Sequence, residues 1–233
     1  MWRFSLSEVV PRARSKTVVE PLSGLIFGLA LSVGAITLVG NVGAITTTRD
    51  LVGKIAVFGF SFLILISVWM RYSKIMSALP IENRWTSSLH TALLFTVSLE
   101  PFLLNVLQLG YAGIKDGASQ LYASDLGVMM AIMGGFTYML ADEERSLIPK
   151  SSIREFKIES VMLFVAAAFF FVSISEVFWV PGPNGWYWRY YLWLLPAALG
   201  FIRRGTIRVV SRAKRGQEKQ ASGLSGSEEN TAG

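Results

Sequence analysis

Between Glu20 and Arg49 the chain carries no charged residue. A run that long cannot lie on the surface of a soluble fold, and it exceeds the ~20 apolar residues that carry a helix across the ~30 Å hydrocarbon core of a bilayer. The feature recurs along the chain. Apolar stretches at about 21–45, 51–71, 85–109, 121–141, 160–180 and 186–202 read as six spans. Charged residues make up only 16% of the 233, against about 25% in soluble domains. The expectation is an all-α membrane protein: a segment 1–20 at the cytoplasmic interface, a six-helix domain over 21–202, and a basic, then polar tail over 203–233.

Basic residues set the orientation. Of the 22 Lys and Arg, 18 fall in the N-terminal segment, the 2–3 and 4–5 loops and the tail. Four (Arg49, Lys54, Lys115, Arg189) fall on the other side. An excess of this size marks the cytoplasmic side, so both termini are expected inside, in the cell membrane. The net charge of +6 is read as topology, and nucleic acid is not an expected partner. Trp2, Phe4 and Leu6 beside Arg3, Arg12 and Arg14 suit an interfacial segment; a frayed terminus is the other reading. Pro181–Gly185, PGPNG, reads as an outer turn. Around it stand Trp179, Trp186, Tyr187, Trp188, Tyr190 and Tyr191, the composition of an interfacial aromatic belt.

Several chemistries are excluded or unsupported. With no cysteine, disulfides, thiol catalysis and thiolate metal sites are ruled out, and a single histidine argues against a histidine-rich metal site. G-x-S-x-G, H-E-x-x-H and Walker A motifs are missing, so no enzyme activity and no cofactor are expected. A TVGYG-type filter is missing too. Asp142-Glu143-Glu144 reads as a solvated acidic run at a helix end.

Ionisable groups inside spans are functional candidates, because charge is costly there. Glu100, followed by Pro101, falls in the outer half of the third span. It is either a proton or cation site, or a carboxylate bonded to neighbouring helices. His90, one turn into the same helix, is either an interfacial contact or a pH-responsive group. Glu176 and Arg189 flank the outer turn and are expected to pair.

In the first span, Leu29, Val33 and Ile36 stand at i, i+4 and i+7 and share a helix face, flanked by Ser32. Gly24, Gly28 and Gly34 would permit close helix approach. The face is either a packing surface or a pore wall on which branched side chains narrow the path and hydroxyls offer oxygen.

EPLSGLIFGLALS, Glu20–Ser32, resembles the first-helix signature of the transmembrane protein 175 family of endolysosomal and prokaryotic potassium channels, roughly R-x-E-A-F-S-D-G-V-F-A-I-A-I-T. Glu20, Ser23, Phe27 and Ala30 match; Leu22, Ile26, Leu29 and Leu31 are conservative. FSFLILISVWMRYSKIMSALP, Phe60–Pro80, is similar to the family's second helix with Trp69. NRWTSSLHTALLFTVSLEPFLLNVL, Asn83–Leu107, is similar to its third, with Pro101-Phe102. About half the chain is covered. The resemblance implies six helices, a homotetramer of short chains, and a central pore lined by the first helix. Leu29, Val33 and Ile36 would then form the constriction, Ser32 the pore-lining polar layer, and monovalent cations, chiefly potassium, the permeant species. The family's Arg and Asp fall at Val18 and Gly24, and Tyr72 stands where a polar residue is expected. The expected function is a passive potassium-preferring cation channel. The alternatives are a proton-coupled transporter using Glu100 and a non-conducting membrane scaffold.

Overall fold

The computed structural model describes residues 12–40, 46–79, 84–109, 115–142, 147–182 and 187–196. Among these, regular structure is helical, and extended pairing is limited to one isolated bridge, Pro181 with Tyr187. The helices are α1 (Arg12–Gly40), α2 (Thr48–Ala78), α3 (Arg84–Leu109), α4 (Lys115–Leu140) and α5 (Lys150–Val172). A 3-10 turn follows at Glu176–Phe178, and residues 188–196 are helical. The chain divides after Trp179 into two compact units.

Among the described residues, three helices are long and apolar enough to cross a membrane: Thr48–Ser77, Arg84–Gln108 and Asp116–Leu140. The apolar part of α1, Pro21–Thr37, is shorter. In α5, Arg154, Glu155, Lys157 and Glu159 occupy the first half, so its apolar stretch begins only at Ser160. That helix also stops at Val172 rather than continuing to 180. Ser173 closes it: its backbone N–H donates to Phe169 O, and its hydroxyl donates to Phe170 O at 2.6 Å. At the other end, α1 starts at Arg12 and runs on through Pro21, so interfacial segment and span are one continuous helix over that stretch. Residues 1–11, 143–146, 183–186 and 197–233 lie outside the described residues. With them lie most of the expected interfacial segment, part of the acidic run, the centre of the outer turn, the end of the sixth span and the tail.

Burial runs opposite to apolarity. The most apolar of the three spanning helices, α2, has only 22% of its apolar stretch buried, whereas the least apolar, α4, has 61%. In water the most apolar helix would be the most enclosed, since removing apolar area from water drives folding. In lipid that force between helices vanishes, and small and polar residues make the contacts instead. The inversion supports a membrane-embedded protein.

The first unit is organised about α4, whose Tyr122, Ala123, Leu126, Met129, Met133 and Phe136 are fully enclosed. It packs against α5, α3 and α2, while α1 packs on α3 and α2. The tight seam is α4 with α5. A Cβ added at Gly127 would stand 3.0 Å from the Phe171 ring, and one at Gly134 would stand 3.3 Å from Phe164. Ser160 donates to Gly134 O at 2.8 Å. Of the three glycines singled out in α1, only Gly34 meets a neighbour, Phe58 at 3.5 Å; nothing lies within 4 Å of a Cβ at Gly24 or Gly28. Arg71 pairs with Glu159 at 3.5 Å, and Lys74 lies 4.9 Å from the centre of the Phe156 ring. These link α2 to α5 at the end read as cytoplasmic.

The start of α2 is capped. Thr47 Oγ1 accepts from Asp50 N at 3.1 Å, and Asp50 Oδ2 accepts from Thr47 N at 3.0 Å. This reciprocal box satisfies two backbone donors that a helix start leaves without partners.

In the second unit, Trp188 N donates to Val180 O at 3.2 Å. Rings stack at i, i+3 spacing: Tyr187 with Tyr190, Trp188 with Tyr191, and Tyr190 with Trp193, centroids 6.2, 5.6 and 5.1 Å apart.

Candidate functional site

Two buried nodes join polar side chains of different helices, and α1 turns an uncovered face away from its own. Each arises from helical periodicity. In α1, Ser23, Phe27, Ala30 and Gly34 stand at i, i+4, i+7 and i+11, and all are buried. On the opposite side Leu22, Leu25, Leu29 and Ile36 are 49%, 68%, 62% and 67% exposed, and Val33 and Ser32 are exposed beside them. The expected constriction residues therefore share one face, and no neighbour among the described residues covers it. Ser32 Oγ donates to Gly28 O at 2.8 Å. That bond occupies the hydroxyl proton and leaves the oxygen lone pairs as acceptors.

The first node ties α1 down. Ser23 Oγ lies 2.7 Å from Tyr72 Oη and 3.1 Å from His90 Nε2, and Tyr72 Oη also bonds His90 Nε2. The tyrosine ring is 5.7 Å from Phe27 and 5.6 Å from the imidazole, centroid to centroid. Ser23, Tyr72 and His90 come from α1, α2 and α3, and all three are buried. Sequence reasoning placed His90 and Ser23 on separate accounts and treated Tyr72 as a departure. The structure makes Tyr72 the hub, because its hydroxyl reaches between two helices that each offer only a short polar group.

The second node lies toward the ends of α3 and α4 that flank residues 110–114. In an antiparallel hairpin joined through residues 110–114, positions equidistant from the loop lie side by side. Glu100 is about 14 Å from the loop end of α3 and Asp125 about 15 Å from that of α4, at 1.5 Å per residue. They sit at one depth. Glu100 Oε1 accepts from Ser61 of α2 at 2.5 Å and from Tyr122 of α4 at 2.9 Å. Glu100 is 0% exposed and Asp125 6%. Asp125 stands three residues along α4 from Tyr122, on the same helix face as the tyrosine that bonds Glu100. Pro101, also buried, has no N–H to donate, so the Val97 carbonyl one turn back loses its helical donor.

In the sequence Asp125 is only a charge inside the fourth apolar stretch. Counting back from the loop along α4 would have brought it level with Glu100, but only with the hairpin's register in hand.

Trp69 is 37% exposed on α2. Glu176 is exposed in the 3-10 turn of the first unit, and Arg189 is buried in the second. Glu20 and Val18 belong to α1 but lie outside the described side chains. Among the described residues, no three His, Cys, Asp or Glu side chains gather as a metal site. No family model, curated protein or solved structure matches the chain.

Proposed function

We propose that the protein is a passive, potassium-preferring cation channel of the cell membrane. Four copies would place α1 around a central path. The observation carrying this reading is the division of α1. Its small, polar and aromatic stripe is used within the chain, while Leu25, Leu29, Ser32, Val33 and Ile36 are left together on an uncovered face. On a pore wall Ser32 would present oxygen lone pairs where a cation sheds water. Branched apolar layers at Leu29, Val33 and Ile36 narrow and dewet the path. Such a girdle replaces less of the hydration shell than a carbonyl cage, so the potassium preference is modest.

The test is potassium flux through purified protein in liposomes. Leu29→Asn and Ile36→Asn are expected to change flux at least several-fold by wetting the constriction. Flux like that of the unaltered protein in both variants would remove α1 from the path. The same assay separates the proton-coupled carrier reading, which the burial of Glu100 favours. Glu100→Gln abolishes pH-driven carrier flux and spares channel flux.

A further inference from the structure

The Glu100 node is incomplete as it stands. Glu100 Oε1 is satisfied twice, by Ser61 and Tyr122. Glu100 Oε2 and Asp125 Oδ2 are fully enclosed, and neither has a hydrogen-bond partner. A buried polar atom without a partner is rare and costly, and two on neighbouring carboxylates at one depth of a hairpin are costlier still. Among the described residues no salt bridge joins a basic side chain to either carboxylate. What the node lacks is a positive charge.

We propose that Glu100 and Asp125 together bind one hard monovalent cation, a proton or an alkali-metal ion, through Glu100 Oε2 and Asp125 Oδ2. Ser61 and Tyr122 hold the glutamate in place by donating to its other oxygen. The donor set fits: two carboxylate oxygens and no nitrogen or sulfur select hard cations. One added positive charge halves the negative charge of the pair, since two adjacent carboxylates cannot both stay ionised cheaply in a low dielectric. The three helices that converge here, α2, α3 and α4, are those long and apolar enough to span the membrane. The inference concerns binding alone and stands whether or not α1 lines a pore.

The experiment uses the full-length protein in detergent and measures no flux. Thermal unfolding is followed while NaCl, KCl or LiCl is titrated against choline chloride. In parallel, infrared difference spectra follow the protonated-carboxyl stretch with pH. A saturable rise in Tm with one alkali ion over choline, lost in Glu100→Gln and in Asp125→Asn, identifies an alkali-ion site. Indifference to alkali ions, with a titrating carboxyl band lost in both variants, identifies a proton site. Equal effects of all salts with no titrating band, or signals that survive both substitutions, overturn the proposal. Should a variant fail to fold, the unaltered protein is treated with dicyclohexylcarbodiimide and the adducts mapped by mass spectrometry. Labelling at Glu100 or Asp125 that falls several-fold with added alkali ion or raised pH supports the site. No labelling at either, or labelling indifferent to both, refutes it.

Discussion

Tyr72 shows how much one hydroxyl can organise. Its ring packs against Phe27 and the imidazole of His90, while its oxygen joins Ser23 and His90. Tyr72→Phe keeps the packing and removes the joint. Hydrogen bonds between membrane helices average about 0.6 kcal/mol and reach about 1.7, because the unfolded chain in lipid also finds partners. Since this one atom serves two partners, Tyr72→Phe is expected to cost about 1–2 kcal/mol, read as a lowered Tm in detergent. A double-mutant cycle with Ser23→Ala should give a coupling energy above the ~0.5 kcal/mol seen for independent sites. Additive losses would mean that the three groups touch without acting together. Of these residues Ser23 and His90 were recognisable as polar positions within apolar runs. Tyr72 was not, because an aromatic at a helix end is ordinarily interfacial.

At the scale of elements, α4 and α5 illustrate packing without a hydrophobic drive. Gly127 and Gly134, two turns apart on α4, admit the rings of Phe171 and Phe164. Both rings keep a large exposed fraction, 42% and 45%, so what holds them is contact with the glycine backbone on one side only. A large side chain at Gly127 would displace Phe171. Gly127→Leu is expected to destabilise by about 1–3 kcal/mol, the usual range for overpacking, and to separate α5 from α4. Gly127→Ala is milder, since the gain in helix propensity of up to about 1 kcal/mol opposes a 3.0 Å contact that the ring can relieve by shifting. Tm values in the order unaltered, alanine, leucine check this; an unchanged leucine variant would show that the seam is not close-packed. The glycines of α1 drew attention first because they sit in the longest uncharged run, yet Gly24 and Gly28 face open space. Spacing alone does not say which glycine has a neighbour.

At the scale of the molecule, orientation is the most consequential expectation. Eighteen of the 22 basic residues fall on one side of the six-span reading. The chain has no cysteine, so single introduced thiols report sidedness without background. Ser146→Cys is expected to react with an impermeant maleimide only from the cytoplasmic side, and Asn184→Cys only from outside. The reverse pattern, or both residues on one side, would break the alternation on which the termini and the direction of every helix rest.

The primary structure by itself determined that this chain is helical and suited to lipid. Long uncharged runs at about 1.5 Å per residue leave few other solutions, and the bounds of α3 were legible to a residue because Arg84 and the end of the apolar run mark them. The division of α1 into two faces was legible as well, since a 3.6-residue period assigns each side chain to a side. Which face would be covered was not, because periodicity is silent about neighbours. Nor were the length of α5, cut short by Ser173, or the meeting of Glu100 with Asp125, Ser61 and Tyr122. These depend on the register of one helix against another, set jointly by loop length, by glycines that admit a ring, and by buried polar groups seeking partners across helices. Such terms couple residues far apart in the chain, so only the tertiary structure decided them.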